Sequence, residues 1–392
     1  MRLMPTLEIS NFAQIDSARI EFGDLTVLVG PQATGKSLLL QWFKMALDAG
    51  EVVSALREAG HDVSEPSGLI DLVFGEGMSS AWHPDTTRVE FDSRELRPSA
   101  WSRGRKKGDP RVLYIPAHRA LLLAEGWPSP FIRLNADTPV VARLFSQSLY
   151  QRFSGPKAST LFPAEGFLRT EYRDLIDQAV FNGGRVKLIQ QGLRYRLGLS
   201  YGSDYALPFM TWTAGQRAFT PLLLGLYDVL PLRRQKKIAS LDFVVIEEPE
   251  MGLHPEAVVA FMILVFDLMA RGYKVVLSTH SPLILDAVWA LQTRAANGAR
   301  APLVCQAFGL KDSRPVRDVM QNALESEYRV HHLGPDPATG RVRSKDISEL
   351  DPLSEDPSEA EWGGLAGFSS RLGEAVRTAV NTAEGVTVGP RR

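Results

Sequence analysis

The chain has 392 residues, of which 44% are hydrophobic and 23% are charged, and its formal net charge is −1. These values describe a globular chain with a large core, in one composite domain or two, and they exclude a global electrostatic attraction to nucleic acid. A single cysteine excludes a disulfide or zinc framework. Residues 1–10 lack a signal-peptide core and no run approaches about 20 apolar residues, so we expect a cytoplasmic protein.

Two short segments near the amino end alternate between apolar and polar side chains. They cover residues 7–12 and 18–22 and are separated by a short polar turn. Alternation at period two predicts two strands paired as a hairpin. The hairpin leads into residues 25–29, an apolar and β-branched run that predicts a buried parallel strand.

A complete phosphate-binding motif, G-x-x-x-x-G-K-[ST], follows this strand, and residues 37–46 after it predict a helix. Gly30 and Gly35 let the backbone wrap phosphate groups. Lys36 can reach the terminal phosphates, and Ser37 can place its hydroxyl on Mg²⁺. The predicted nucleotide-binding residues of the loop are Gly30, Pro31, Gln32, Ala33, Thr34, Gly35, Lys36 and Ser37. We therefore expect a nucleoside triphosphate as the ligand.

The segment from residue 50 to residue 110 is polar and poorly periodic. Residues 69–74 and 88–91 are short strand candidates. Residues 103–107 form a basic run, which we interpret as a solvated loop in preference to a phosphate contact, because no aromatic side chains alternate with the charges.

Residues 111–116 predict another core strand that ends at Pro116. Arg119 follows at its carboxyl end, where open α/β sheets bind ligands. Two roles stay open for Arg119, a contact in the site and a structural salt bridge.

Residues 140–177 carry mixed helical patterns and predict a helical subdomain. Residues 185–190 and 193–199 alternate about a turn at residues 191–192, which predicts a second hairpin.

The turn at residues 212–217 contains Thr213, Ala214, Gly215 and Gln216 and precedes an apolar helix from residue 221 to residue 230. A small-residue turn at the start of a helix presents free N–H groups and the positive end of the helix dipole, which suits an anion. Taken alone, this turn could equally be an ordinary helix cap.

Residues 243–246 form an apolar strand that ends in two acidic side chains, Glu247 and Glu248. In phosphate-loop ATPases the first acid at this place supports Mg²⁺, and the second polarises the attacking water. The alternative is a pair of solvated glutamates.

Residues 274–278 predict a fourth core strand, and His280 follows it directly. A histidine here could hydrogen-bond the terminal phosphate of the nucleotide, although a lone histidine after a strand is more often structural.

Beyond residue 290 the patterns are weaker. Residues 301–305 predict a strand with a buried thiol, Cys305. Residues 327–332 and 341–343 could pair across a turn, residues 351–359 read as an acidic linker, and residues 362–380 predict an amphipathic helix. No aspartate pair or glycine-flanked acid after a strand predicts a nuclease site in this region.

These motifs, in this order, resemble ABC-type ATPases over residues 7–290. In that family, Thr213, Gly215 and Gln216 correspond to the signature turn, where serine and a second glycine usually precede Gly-Gln. Glu247, usually aspartate, is the metal-supporting acid together with Ser37. Glu248, His280 and Lys36 correspond to the catalytic residues.

Further details are implied by the same resemblance. An arginine near the nucleotide is replaced here by Ala13. A glutamine that couples Mg²⁺ to the helical lobe could be Gln147 or Gln151, or either could be an ordinary surface residue. The strings Glu-Glu-Pro-Glu, Leu-His-Pro and Thr-His-Ser-Pro look most like the OLD-type family, which includes the ATPase components of anti-phage systems such as PARIS and Septu. OLD proteins proper carry a Toprim nuclease domain, for which we find no sequence signal.

The predicted fold is therefore α/β, an ABC-ATPase-type P-loop NTPase with a mixed core sheet, an N-terminal hairpin, a helical subdomain and a small C-terminal extension. We expect an ATPase domain over residues 1–290, with its helical subdomain at about 120–180, and a C-terminal accessory region over residues 291–392. The resemblance implies ATP and Mg²⁺ as cofactors and a homo-dimer, or a larger homo-oligomer, that holds ATP between subunits.

As a function we expect an ATP-gated sensor or regulator of a separately encoded effector, such as a nuclease, in anti-phage defence. The alternative is a repair or recombination ATPase that clamps DNA directly, which a basic stripe on the dimer or stimulation by naked DNA would favour. A P-loop kinase is a third class, and the signature-like turn argues against it.

Overall fold

The computed structural model describes residues 4–101, 108–123, 126–154, 160–164, 166–191, 194–202, 205–232, 236–296, 298 and 300–383. These residues fold around a ten-stranded sheet and a separate four-stranded sheet, with helices packed against them. The α/β class and the mixed core sheet predicted from the sequence are confirmed.

The strands, in chain order, are β1 Thr6–Phe12, β2 Ile15–Glu21, β3 Leu25–Val29, β4 Arg88–Phe91, β5 Arg94–Glu95, β6 Val112–Ile115, β7 Thr160–Phe162, β8 Arg185–Gln191, β9 Arg194–Ser200, β10 Leu207–Pro208, β11 Phe243–Glu247, β12 Lys274–Ser278, β13 Tyr328–Pro335 and β14 Val342–Asp346.

The α-helices, in chain order, are α1 Lys36–Glu58, α2 Pro66–Phe74, α3 Pro98–Trp101, α4 Val140–Ser154, α5 Thr170–Ile176, α6 Ala214–Leu226, α7 Pro255–Ala270, α8 Pro282–Ala296, α9 Ala301–Ala307, α10 Arg314–Glu325, α11 Pro357–Ala360 and α12 Gly367–Ala383. None of the described helices is long and apolar enough to cross a membrane.

The large sheet is mixed, and its strand order is β5-β4-β1-β2-β14-β13-β3-β12-β11-β6. Strands β13, β3, β12, β11 and β6 are parallel to one another, whereas β1, β2, β4 and β5 pair antiparallel. The N-terminal hairpin predicted from alternation is β1 with β2. The second predicted hairpin is β8 with β9, in the small sheet.

The parallel strands are buried on both faces, which explains why they read as continuous apolar runs and do not alternate. On β3, Val27 and Val29 face one hydrophobic cluster, which includes side chains of α6, α7 and α8. Leu28 faces a second cluster, which includes side chains of α1, α2 and β1. The sheet therefore lies between two layers and has a core on each side.

The C-terminal hairpin predicted from the sequence is β13 with β14, and it is inserted into the middle of the large sheet. β13 pairs in parallel with β3, the strand that leads into the phosphate loop. Behind Gly30 the backbone of β13 is so close that a Cβ on this glycine would overlap the carbonyl oxygen of Leu333. Residues beyond 290 thus contribute two strands, β13 and β14, to the sheet that carries the phosphate-loop motif.

Two strand predictions are wrong. Residues 69–74 lie in α2, which begins with Pro66 at its first turn, a position where proline favours helix. Residues 301–305 lie in α9, which likewise has proline in its first turn; Cys305 is buried, as expected, but on a helix. Short apolar runs do not distinguish a buried strand from a buried helix. The basic run at residues 103–107 lies outside the described residues.

The region predicted as helical, residues 140–177, contains α4 and α5 with the short strand β7 between them. The predicted C-terminal helix is α12, and its larger apolar side chains are exposed. They recur four residues apart, as Phe368, Leu372, Val376 and Val380.

We predict that Leu333→Ala lowers the free energy of unfolding by about 2–5 kcal/mol, the usual cost of truncating a buried leucine. Leu333 is fully buried on β13. Urea unfolding measures the change, and Leu353→Ala, at a side chain that is 90% exposed, is the matched control and should stay within about 0.5 kcal/mol of wild type. Equal stability of the two variants would show that β13 is not part of the folded core.

Candidate functional site

The predicted motifs meet at the carboxyl edge of the parallel strands because the strand register brings them to one level. Glu247, the last residue of β11, is paired with Ser278, which is paired in turn with Leu28 near the end of β3. On the other side of β11, Ile246 is paired with Ile115 at the end of β6. The phosphate loop, the acidic turn at residues 247–250 and His280 therefore leave the sheet side by side.

The phosphate loop has the backbone conformation that its glycines permit. Gly30 and Gly35 have positive φ angles of 140° and 84°, and Gly35 is the N-cap residue of α1. The amide of Gln14, in the β1–β2 turn, donates to the carbonyl oxygen of Ala33 at 3.0 Å. Pro31, Gln32 and Ala33 are exposed, so the crest of the loop is open to a ligand.

The Lys36 ammonium is buried under the loop and donates to the carbonyl oxygens of Gly30 at 2.9 Å and Pro31 at 2.7 Å. Burial lowers the pKa of Lys36 to about 8, and the nearby carboxylates of Glu248 and Glu250 oppose this decrease. The ammonium is thus held by weak acceptors that phosphate oxygens could replace.

Glu247 is buried beside the first turn of α1. Its Oε2 accepts a hydrogen bond from the N–H of Ala117 at 3.2 Å, whereas its Oε1 has no hydrogen-bond partner among the described residues. Burial raises the pKa of Glu247, and the Ser37 hydroxyl is the strongest opposing influence. A buried carboxylate oxygen without a partner, next to a hydroxyl, fits a hard divalent cation such as Mg²⁺.

Glu248 and His280 approach each other across the ends of β11 and β12. Glu248 Oε1 lies 3.6 Å from His280 Nε2, and both side chains are about one-third exposed. The backbone of Glu248 has a positive φ of 40°, which is uncommon for a residue with a side chain and turns its carboxylate out of the strand. Both side chains can therefore face one terminal phosphate.

Glu250 holds the loop that carries His280, a role that the sequence analysis did not identify. Its Oε1 accepts hydrogen bonds from the Thr279 hydroxyl at 2.9 Å and from the backbone N–H of His280 at 2.6 Å. The spacing Glu-Glu-Pro-Glu was visible in the sequence, but nothing in it indicates that the last acid reaches the next strand.

Arg119 is completely buried, and within the described ranges no salt bridge joins it to an acidic side chain. Its guanidinium donates to the carbonyl oxygens of Ala218 at 2.9 Å, Glu247 at 3.0 Å and Pro249 at 3.2 Å. Burial lowers the pKa of Arg119 to about 10, and the acids at positions 250, 247 and 248 limit the decrease.

The signature-like turn caps α6. The Thr213 hydroxyl accepts from the N–H of Gln216 at 3.3 Å, and the Gln216 side chain accepts from the N–H of Thr213 at 3.2 Å, which is a capping box. This arrangement leaves the N–H groups of Ala214 and Gly215 without intrahelical acceptors. Thr213 and Ala214 are exposed and Gly215 is half-buried, so this turn lies at the surface.

Some predicted residues are engaged elsewhere. The Gln216 side-chain amide donates to the Val180 carbonyl oxygen and the Tyr201 hydroxyl. Within the described ranges, no hydrogen bond or ion pair joins the turn at residues 213–216 to the phosphate loop. Gln147 accepts from the N–H of Phe131 at 2.8 Å, and Gln151 is exposed. No group of three or more His, Cys, Asp and Glu side chains in the described part of the chain could hold a metal ion. Which glutamine, if any, serves the metal stays open.

Known proteins resemble this chain in sequence. The family model described as "AAA domain, putative AbiEii toxin, Type IV TA system" matches residues 132–286, a range that contains the signature-like turn, the acidic turn and His280. The OLD nuclease of Thermus scotoductus (strain ATCC 700910 / SA-01) is 24% identical over 333 residues, covering 72% of this chain. The match spans 60% of that relative's length. In sequence, this chain is therefore similar to an AAA-domain family model and to an OLD nuclease.

Two solved structures of SMC heads also match this chain. The SmcHead bound to the C-winged helix domain of ScpA is 12% identical with a TM-score of 0.42, and the match covers 87% of this chain and 96% of that one. The SMC head domain from Thermotoga maritima is 14% identical with a TM-score of 0.34, covering 73% and 92%.

We predict that Mg·ATP binding takes up a proton at about pH 8.5 but not at about pH 7. Lys36, with a pKa of about 8, is largely neutral at the higher pH, and phosphate charges raise its pKa because they favour the charged form. ATP affinity should accordingly fall as the pH rises above 8. Calorimetric titrations in two buffers of different ionisation enthalpy measure the uptake. A binding enthalpy independent of buffer at pH 8.5 would contradict this assignment of Lys36.

Proposed function

We propose that this OLD-like P-loop ATPase binds Mg·ATP at the phosphate loop and hydrolyses it to ADP and phosphate. The observation that carries the proposal is the convergence of Lys36, the partnerless oxygen of Glu247 and the Glu248–His280 pair at one edge of the sheet. A cation, a metal-ready carboxylate and a second carboxylate beside a histidine are the groups that phosphoryl transfer to water needs.

Each residue of the site has a separate role in the proposed hydrolysis. Lys36 leaves the loop carbonyls and neutralises charge on the terminal phosphates. Ser37 and Glu247 would hold Mg²⁺, which supplies further positive charge to the phosphates when bound. Glu248 orients and polarises the attacking water, whose oxygen bonds to the γ-phosphorus as the bond to ADP breaks. His280 donates to the γ-phosphate, and Glu250 keeps His280 in reach through its backbone N–H.

We further propose that two copies associate head to tail, with each nucleotide lying between the phosphate loop of one subunit and the turn at residues 213–216 of the other. The N–H groups of exposed Ala214 and half-buried Gly215, at the positive end of α6, support this role because they suit a phosphate. Gln216 then acts within its own subunit as part of the cap, and Thr213 and Gly215 form the surface that meets the nucleotide.

The cellular role that we favour is an ATP-gated sensor or regulator, in the cytoplasm, of a separately encoded effector such as a nuclease in anti-phage defence. The similarity to an OLD nuclease over only part of that protein's length supports the link to nucleic-acid cleavage. Glu247 with Ser37, the site that fits a metal among the described residues, is occupied in this proposal by Mg·ATP. A DNA-clamping repair ATPase is the alternative, and hydrolysis stimulated by naked DNA would favour it.

We predict that Glu248→Gln lowers kcat by about 10²-fold or more while ATP still binds, because the amide cannot polarise the attacking water. Dimers should then accumulate with Mg·ATP and be visible by light scattering. Glu256→Gln is the matched control, since Glu256 is exposed at the start of α7. A Glu248→Gln protein that binds ATP but stays monomeric would contradict the head-to-tail clamp.

We predict that the purified chain hydrolyses ATP but cuts neither DNA nor RNA. Phosphodiester hydrolysis usually needs carboxylates that hold divalent ions at the scissile phosphate. The test incubates the protein with plasmid, single-stranded DNA and RNA in the presence of ATP and either Mg²⁺ or Mn²⁺. Cleavage that survives repurification and disappears in a point variant of this chain would overturn the separate-effector proposal.

A further inference from the structure

Arg119 is a buried cation that the hydrolytic chemistry does not use. It is completely buried, and its three shortest hydrogen bonds go to the backbone carbonyl oxygens of Ala218, Glu247 and Pro249. Burying a charge is costly unless the surroundings satisfy it. The Arg119 guanidinium is buried despite this cost in free energy, and backbone oxygens from two separate segments satisfy it. Its hydrogen bonds therefore hold the two segments in a fixed relative position.

The acidic turn and α6 have different roles in the proposed reaction. Glu247 and Pro249 belong to the acidic turn that serves the nucleotide of the same subunit. Ala218 lies in α6, about one helical turn after the Thr213 cap. The guanidinium therefore connects the catalytic turn to the helix whose first turn is presented at the surface.

A second contact joins the same two segments. A Cβ on Gly215 would lie 2.9 Å from the carbonyl oxygen of Gly252, so the start of α6 rests directly on the backbone that follows the acidic turn. Gly252 has a positive φ of 71°, which allows the chain to turn back at this contact. With Arg119 on one side and the Gly215–Gly252 contact on the other, the first turn of α6 cannot shift without the acidic turn.

We propose that Arg119 is a positioning residue that couples the two nucleotide sites of the dimer. This inference rests on the proposed head-to-tail association, in which the acidic turn faces the subunit's own ATP and the α6 turn faces the ATP of the partner. ATP bound in one site orders the acidic turn, Arg119 transmits that position to α6, and α6 is then set to complete the other site. Binding and hydrolysis are cooperative as a result.

The planar guanidinium suits this role because its N–H groups point in fixed directions toward both segments. A lysine at this position has one compact ammonium, which keeps the charge but cannot span the three carbonyl oxygens with the same geometry. Arg119→Lys thus separates the need for a cation from the need for a bridge.

The experiment compares wild type, Arg119→Lys and Arg119→Gln, with Arg133→Lys at an exposed arginine as the matched control. Fluorescent ATP binding at a protein concentration that favours monomers gives the affinity of a single site. The Hill coefficient and kcat of hydrolysis at higher concentration report the coupling. We expect Arg119→Lys to keep the single-site affinity within about threefold, to lower the Hill coefficient from near 2 to near 1 and to lower kcat at least tenfold.

The outcomes separate this inference from the function on which it rests. A Glu248→Gln protein that binds Mg·ATP but stays monomeric overturns both the head-to-tail association and the coupling. If the wild-type dimer hydrolyses ATP cooperatively and Arg119→Lys has the same Hill coefficient and kcat, only the coupling through Arg119 is overturned. A merely structural role would instead lower thermal stability and single-site affinity together.

Hydrogen exchange on the wild-type dimer keeps the proposal testable if the variants do not fold. In Mg·ATP, amides of residues 247–250 and of residues 214–218 should gain protection together, over the same range of ATP concentration. Protection of one segment without the other would overturn the coupling.

Discussion

Parallel pairing of β6, β11, β12 and β3 is the constraint from which the rest of the site follows. Parallel strands end at the same edge of a sheet, and their register places Glu247 opposite Ser278 and Ser278 opposite Leu28. One residue further along, each strand has left the sheet, and the acidic turn, the His280 loop and the phosphate loop begin side by side. The chemistry is thus assembled by backbone hydrogen bonds, and the loops need only direct their side chains to one point.

The site buries three charged groups close together. Lys36, Glu247 and Arg119 are all buried within this edge of the sheet, and burial disfavours the charged form of each group, as their pKa shifts indicate. The charges are compensated by loop carbonyls around Lys36 and by backbone oxygens around Arg119. Glu247 is compensated only in part, because one of its oxygens has no partner in the described structure. A bound nucleotide with its metal would supply the missing partner of the Glu247 oxygen. Ligand binding would then stabilise the folded site.

Much of this arrangement could be predicted from the sequence, because local patterns determine it. The N-terminal hairpin follows from alternation, and the core strands follow from apolar runs that end in glycine, acids or histidine. Residues 69–74 were mispredicted because a six-residue apolar run has no distinguishing period, and the proline before them favours a helix. The bridging role of Arg119 and the hold of Glu250 on the His280 loop depend on contacts between segments about 100 and 30 residues apart, which no local spacing encodes.

Insertion of β13 beside β3 has a consequence for biosynthesis. During translation, the phosphate-loop strand emerges early, but its two neighbours in the sheet, β12 and β13, come about 250 and 300 residues later. Contacts between such distant segments form late, because the loop between them must first be closed. The backbone of Gly30 acquires its contact with Leu333 only at that stage. A nascent chain therefore lacks the complete sheet behind the phosphate loop until residues 328–335 have been made.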